Sequence, residues 1–214
     1  MSPGAGGRRA APSSAGSGAG APSSPRDPTD PKDAPALGLV ELESIAKGLV
    51  VADALIKKAE VKLYLSEPMT PGKYVVLFRG AVAEVQESFD EAVAIGGATV
   101  LDKLVLTQVH RMVLAGLDGT FEALGAQDAL GIVETHTIAS TVLAADTALK
   151  RARVRLTHLH LAKGIGGKGW FTLAGAQHDV EAALEGAATR IEQRLLVATE
   201  IIQRPHRDLK GPGL

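Results

Sequence analysis

The residues with the most distinctive spacing lie in the glycine-rich stretch Lys163–Gly169. Its glycines at positions 164, 166 and 169 match the G-x-G-x-x-G pattern of dinucleotide-binding folds. That pattern binds pyrophosphate when a helix follows the loop, whereas here the strand-like Trp170-Phe171-Thr172-Leu173 follows. A P-loop is also excluded, because Lys168 precedes glycine rather than Ser or Thr and position 162 holds alanine. We therefore predict a hairpin tip and no nucleotide site.

The histidines do not suggest a reactive centre. His158 and His160 alternate along a predicted strand, and two histidines are too few for zinc, which takes three or four ligands. His178 and Asp179 begin a predicted helix, where capping and the helix dipole account for them. The absence of cysteine excludes disulfides and thiolate or iron–sulfur ligation. We predict no catalytic residue, no metal site and no cofactor.

The composition is typical of a globular protein with modest cores. The 214 residues are 45% hydrophobic and carry a formal net charge of −1, too little positive charge for a general nucleic-acid binder. Aromatic residues make up only 3%, which also argues against base-stacking surfaces. No apolar run approaches the ~20 residues of a membrane-spanning helix. We therefore expect neither nucleic acid nor a membrane as a partner.

The sequence segments around these residues occur twice in the chain. Ala36–Glu41 reads ALGLVE, and Ala129–Glu134 repeats it as ALGIVE, 93 residues later. The match continues in register through three further groups: Ile45-Ala46 with Ile138-Ala139, Ala52-Asp53 with Ala145-Asp146, and Lys57 with Lys150. A period of this length fits a small domain rather than a solenoid repeat. We predict a first domain over residues 36–117, a linker over 118–128 and a second domain over 129–210.

Residues 1–35 differ from the rest in composition. They are rich in Gly, Ala, Pro and Ser and contain no Leu, Ile, Val or aromatic residue. Such a segment cannot bury enough apolar surface to offset its ordering entropy, so we predict a disordered tail.

Each copy is predicted to run strand, helix, two strands, helix, strand. In the first copy, Leu37–Leu42 is a strand, and the last strand is expected over Leu104–Val109. The first helix of each copy carries apolar residues spaced 4, 3, 4 and 3 apart, which predicts one buried face: Ile45, Leu49, Ala52, Ile56 and Ala59, matched by Ile138, Val142, Ala145, Leu149 and Ala152. Two helices on one antiparallel sheet are the ferredoxin-like plan, so the predicted class is α+β with two tandem βαββαβ domains.

Several separated motifs resemble those of one known family. The ALGLVE opening, the helix ending Ala-Asp-Ala-x-x-Lys-x-Ala, the strand ending Arg79-Gly80 and the late Arg204-Pro205-His206 look like bacterial microcompartment (BMC) shell domains in their unpermuted strand order. Two such domains in one chain resemble the tandem-domain shell proteins, which form trimers that mimic a hexamer. The resemblance covers residues 36 to about 210 and implies a flat tile in a polyhedral shell in the bacterial cytoplasm. Its implied partners are a homotrimer, other hexameric and pentameric tiles, and the encapsulated enzymes.

The same resemblance implies where the tile meets its neighbours. The helix-terminal lysines of the family's tile edge correspond to Lys57 and Lys150, and the edge motif corresponds to Arg204, Pro205 and His206. The first domain has Gln108, Val109 and His110 at the matching place, so half of the edges are expected to differ. A lysine near a helix C-terminus is otherwise simply favourable against the helix dipole.

The resemblance also assigns the glycine-rich loop to a central pore, where glycines let several backbones approach one axis. Three chains would bring six loops together, three of each kind. The expected pore-lining residues are Thr70, Pro71, Gly72, Lys73, Lys163, Gly164, Ile165, Gly166, Gly167 and Lys168. The lysines among them would favour small polar or anionic metabolites.

Two other functions stay open at this point. Ferredoxin-like domains also serve as small-molecule sensors, so a soluble trimeric regulatory protein that binds a metabolite is the alternative. An enzyme with its site between the two copies is the third possibility. Sheet assembly, saturable metabolite binding and turnover, respectively, would distinguish the three.

Overall fold

The computed structural model describes Met1 and residues 36–209. Apart from Met1, the predicted tail over residues 1–35 lies outside the described residues.

Each half of the chain folds as a four-stranded antiparallel sheet with two helices. The first half contains β1 (Ala36–Leu42), α1 (Ile45–Lys58), β2 (Lys62–Met69), β3 (Lys73–Gly80), α2 (Val82–Gly96) and β4 (Val100–Leu106). The second contains β5 (Ala129–Thr135), α4 (Ile138–Arg151), β6 (Arg155–Leu161), β7 (Gly169–Gly175), α5 (Gln177–Arg190) and β8 (Leu196–Ile202). The strand orders are β2-β3-β1-β4 and β6-β7-β5-β8, so the α+β class and the tandem βαββαβ plan are confirmed.

The end of the first domain differs from the sequence-based expectation. Its last strand, β4, covers Val100–Leu106 rather than Leu104–Val109, because pairing with β1 begins opposite Leu42. An unpredicted short helix, α3 (Arg111–Leu117), then follows and packs against β6 and α4 of the second half.

The two matching helices begin and end in the same way. The hydroxyls of Ser44 and Thr137 accept hydrogen bonds from backbone N–H groups three residues later, at 3.2 Å in both cases. These are N-caps, which satisfy one of the free donors of a first helical turn. Both helices end on two basic residues, which complement the negative end of the helix dipole.

The predicted buried face is correct for α4 and wrong for α1. The α1 residues that pack on its own sheet are Gly48, Val51, Ala52 and Leu55, while Ile45, Leu49 and Ile56 face outward. Leu49 is 57% exposed, whereas its counterpart Val142 is 0% exposed. The helix therefore has two apolar faces, one for its own sheet and one that in α4 is covered by the other domain.

The hydrophobic core joins the two halves. One cluster lies inside the first domain, between its sheet and helices, and includes Val40, Leu55 and Phe78. A second cluster combines Leu39 and Leu77 of the first domain with the core of the second. The two domains therefore fold against each other as one body.

Candidate functional site

The junction between the domains is built around the N-terminus of α4. Glu41, on β1, is fully buried, and its Oε1 accepts a hydrogen bond of 2.7 Å from the backbone N–H of Ala139. Its Oε2 pairs with the Lys73 ammonium at 2.5 Å. Burial raises the pKa of the Glu41 carboxyl, and the charge of Lys73 opposes that rise. A carboxylate at a helix N-terminus also complements the helix dipole.

A second carboxylate meets the same helix end. Asp102, which lies opposite Glu41 on β4, accepts hydrogen bonds from the hydroxyls of Thr137 at 2.5 Å and Ser140 at 3.2 Å. Thr137 is the N-cap of α4, so the first domain supplies two carboxylates to the first turn of the second domain's helix.

The C-terminal half of α4 contacts the segment that follows β4. The Oδ1 of Asp146 accepts a hydrogen bond of 2.7 Å from the backbone N–H of His110. The Lys150 ammonium pairs with Asp146 at 2.5 Å and donates to the carbonyl of Gln108. Burial lowers the pKa of His110. The predicted edge residue Lys150 thus lies beside the Gln108–His110 segment, which sequence comparison had matched to Arg204–His206.

Two hairpin loops meet in the same junction. The Lys73 ammonium donates to the carbonyl of Gly167 at 2.8 Å, which joins the loop Thr70–Lys73 to the loop Lys163–Lys168. Gly167 has φ +83°, and a Cβ there would lie 2.9 Å from the Thr70 carbonyl oxygen. Only glycine fits this conformation and this close approach. The structure therefore brings the two predicted pore loops together, although Lys73 and Gly167 are buried rather than lining a surface.

The loop lysines are each paired with a carboxylate. Besides the pair formed by Lys73, Lys163 lies 2.7 Å from Glu67 and Lys168 lies 2.8 Å from Glu134. The loops therefore offer less free positive charge than their sequence indicates.

Several partners of this junction recur at more exposed positions of the same chain. Glu134, the counterpart of Glu41, is 34% exposed in its side chain against 0% for Glu41. Asp53 and Lys57 repeat the pair Asp146–Lys150 at 2.6 Å, and Asp53 is 62% exposed against 5% for Asp146. Arg204 and His206 are exposed and Pro205 is partly so. Each half of the internal junction is thus present a second time on the surface.

The histidines take part in aromatic packing. The His158 ring centroid lies 4.6 Å from that of Trp170 and 5.3 Å from that of Phe121, and burial lowers the pKa of His158. His160 lies next to it on β6, with its Nε2 2.8 Å from the Lys163 carbonyl. Within residues 36–209, no three His, Asp or Glu side chains converge on a point where a metal ion could bind.

Sequence reasoning missed the roles of Asp102 and Asp146. The role of Asp146 could have been suspected from the sequence, because an aspartate precedes the repeated lysine by four residues in both copies. The role of Asp102 could not, since the matching position in the second copy is Ala198. Glu41 and Glu134 were visible as a repeated carboxylate, but the contact of Glu41 with a helix of the second domain was not.

The fold and the junction thus define a chain of two fused copies of one domain, with counterparts of the junction residues on its surface. The BMC domain family matches residues 36–109 and 129–205, so the chain belongs to the bacterial microcompartment shell family. It is a structural shell protein with tandem domains rather than an enzyme.

Named relatives agree with this membership. The bacterial microcompartment shell protein PduT of Citrobacter freundii is 38% identical over 175 residues, which are 81% of this chain and 95% of that protein. The carboxysome shell protein CcmK2 of Synechococcus elongatus is 33% identical over 79 residues, which are 35% of this chain and 78% of that protein. The crystal structure of a microcompartment protein from Desulfitobacterium hafniense has 40% identity and a TM-score of 0.73, covering 82% of this chain and 97% of that one. Among the described helices, none has the length and apolarity to cross a bilayer.

Proposed function

We propose that this chain is a shell tile that closes into a homotrimer, a pseudohexamer with six BMC domains around a central pore. Such tiles pack edge to edge with one another and with hexameric and pentameric tiles to enclose enzymes. The observation that carries the proposal is the junction whose two halves recur, exposed, on the outside of the same chain.

The closure of a ring follows from the geometry of the junction. A contact that joins unlike surfaces repeats until the rotation closes or runs on as a filament. Here the surface of α1 carries the counterparts of the α4 contacts, and β8 with Arg204–His206 carries the counterparts of β4 with Gln108–His110. The α1 face of one copy would therefore receive the β8 edge of the next, and family resemblance supports closure after three copies.

The contacts of the outer junction can be named from those of the inner one. Glu134 would accept from the backbone N–H of Ala46 in the next copy, as Glu41 does from Ala139. The exposed apolar side chains Ile45, Leu49 and Ile56 would then be covered as their counterparts in α4 are. Burying these three would contribute several kcal/mol to association, at about 25 cal/mol per Å² of apolar surface.

The pore would lie where the two hairpin loops meet. Three copies would bring three Thr70–Lys73 loops and three Lys163–Lys168 loops around one axis, and Pro71, Gly72 and Gly166, which are exposed in the single chain, would then line it. Because each lysine is paired with a carboxylate, we expect an aperture for small polar metabolites with weak preference for anions.

The tile edge would lie at the rim of each junction. Lys57 and Lys150 both stand at helix C-termini, and Lys150 contacts the Gln108–His110 segment while its side chain stays partly exposed. Lys57 would stand in the same way beside Arg204, Pro205 and His206 of the next copy. The Lys57 site and the Lys150 site would then both face the neighbouring tile.

Native mass spectrometry and electron microscopy test the proposal together. We expect a particle of three 22.1 kDa chains that forms sheets at high concentration. Leu49→Glu should abolish the trimer, because it places a charge in the α1 face, whereas the matched control Val82→Glu on α2, 49% exposed, should leave it intact. A wild-type monomer, or a trimer that survives Leu49→Glu unchanged, would refute the proposed assembly.

A further inference from the structure

The inner and outer junctions differ in the charges placed at the helix N-terminus. On β4, Asp102 and Leu104 are two residues apart, so their side chains lie on one face of the strand. Asp102 accepts a hydrogen bond from Ser140 of α4, and Leu104 is buried. Their counterparts on β8, read from the pairing with β5, are Ala198 and Glu200. On the helix side, Ser140 of α4 is replaced by Lys47 of α1.

These changes complement each other. The inner junction opposes a carboxylate, Asp102, to a small hydroxyl, Ser140, at 3.2 Å. In the proposed outer junction the counterparts of these residues are a small residue, Ala198, and a long cation, Lys47, and a carboxylate stands two residues further along β8, at Glu200. The room left by alanine lets the lysine stem lie along the strand with its ammonium toward that step. In the proposed trimer the N-terminus of α1 would then receive two carboxylates, Glu134 and Glu200, as that of α4 receives Glu41 and Asp102.

The isolated chain leaves both charges without partners. Within residues 36–209 neither Lys47 nor Glu200 takes part in an ion pair, and Glu200 is exposed. Lys47 lies in the first turn of α1, which contains no acidic residue, so its charge is unfavourable against the helix dipole there. A carboxylate from outside the chain would relieve that conflict.

We propose that Lys47 of one copy forms an ion pair with Glu200 of the next, beside the contact between Glu134 and the N-terminus of α1. This inference rests on the proposed trimer. It names a contact that the outer junction, between two copies, has and the inner junction, between the two domains of one chain, lacks. The association of copies is thereby sensitive to salt, whereas the inner junction, whose Glu41–Lys73 pair is buried, is not. The two kinds of junction alternate around the ring.

Exchanging the charges of Lys47 and Glu200 tests the proposed ion pair. The variants are Lys47→Glu, Glu200→Lys and the double exchange, with Lys103→Glu on the exposed face of β4 as the control. Each is followed by size-exclusion chromatography along a urea series, which reports the midpoint of trimer loss without screening charge. Lys47→Glu removes an unfavourable charge from the α1 N-terminus, so lost association cannot be attributed to a weakened helix.

Each single reversal should weaken association about tenfold or more, and the double exchange should restore most of it, because like charges across an interface are strongly unfavourable. The control should match the wild type. If the wild type is trimeric and the double exchange is no better than the worse single variant, the ion pair is refuted while the tile stands. If the wild type is monomeric, the proposed function itself fails.

Discussion

Glu41 and Ala139 are 98 residues apart in the chain, yet the carboxylate of one accepts a hydrogen bond of 2.7 Å from the backbone N–H of the other. The contact places a buried charge of the first domain on the N-terminus of the second domain's first helix. The same carboxylate holds Lys73, which in turn holds the carbonyl of Gly167. One side chain therefore fixes the position of a helix and of two hairpin loops.

We predict that Glu41→Gln destabilises the chain by about 3–5 kcal/mol, because it leaves the Lys73 ammonium buried without its counter-ion. Urea unfolding monitored by the fluorescence of Trp170 measures the change. Glu91→Gln on α2 is the control: its ion pair with Lys58 is partly exposed and lies outside the residues assigned to either junction, so we expect a loss below about 1 kcal/mol in the free energy of unfolding. Equal losses for the two variants would contradict the assigned role of Glu41.

The junction should weaken in mild acid because of His110. Burial lowers the pKa of His110 below its ordinary 6.5, so the unfolded chain binds the proton more readily than the folded one. The stabilising contribution of this residue is therefore complete above pH 6.5 and is lost as the pH falls from there through the lower pKa of the folded chain. The neutral Nδ1 also accepts from the backbone N–H of Met112, which protonation would prevent.

His110→Asn isolates that effect. Asparagine is a good N-cap and does not titrate, so the variant should keep the start of α3 and lose the part of the pH dependence that sets in below about pH 6.5. Unfolding free energies measured at several pH values compare the two proteins. Parallel curves for wild type and variant would show that His110 does not act as we infer.

Comparing Gly167→Ala with Gly164→Ala distinguishes the cost of a left-handed backbone conformation from the cost of a clash between the two loops. Gly164 and Gly167 both have positive φ, +75° and +83°, and alanine in that region costs roughly 1–2 kcal/mol. A Cβ at 164 meets nothing within 4 Å, whereas one at 167 meets the Thr70 carbonyl at 2.9 Å. Gly167→Ala should therefore lose more stability than Gly164→Ala in thermal unfolding. Identical losses would mean that the two loops do not touch.

The charge pairs of the loops predict the selectivity of the pore. Glu67→Gln frees the Lys163 ammonium, so flux of a small anion across reconstituted shells should rise relative to a neutral solute of the same size. The matched removal of positive charge, Lys163→Gln, should lower that ratio. A ratio that neither variant changes would place these loops away from the permeation path.

Much of the fold could be predicted from the sequence because each local signal acts within one domain. The repeat starting at Ala36 and Ala129 and the apolar strands both follow from neighbouring residues. The apolar spacing of α1 marked Leu49 as a residue to be covered, whereas the chain itself leaves it exposed. It could not say by what, because periodicity does not distinguish a chain's own sheet from another domain.

The contacts of the site were beyond sequence reasoning for a related reason. Asp102 meets Thr137 across 35 positions, and Lys73 meets Gly167 across 94, so neither pair has a characteristic spacing. The sequence showed the lysines of the loops but not that Glu41, Glu67 and Glu134 neutralise them. Such long-range pairing depends on how the domains pack, which no local pattern encodes.

Cross-linking tests the central claim that the outer surfaces join as the inner ones do. The counterparts of Ser140 and Asp102, whose side-chain oxygens are 3.2 Å apart, are Lys47 and Ala198, and the native chain has no cysteine to interfere. The double variant Lys47→Cys, Ala198→Cys, treated with a short bis-maleimide, should give covalent species of two and three chains on a denaturing gel and none larger. Monomers alone, or a ladder that continues beyond three, would contradict a closed ring of three copies.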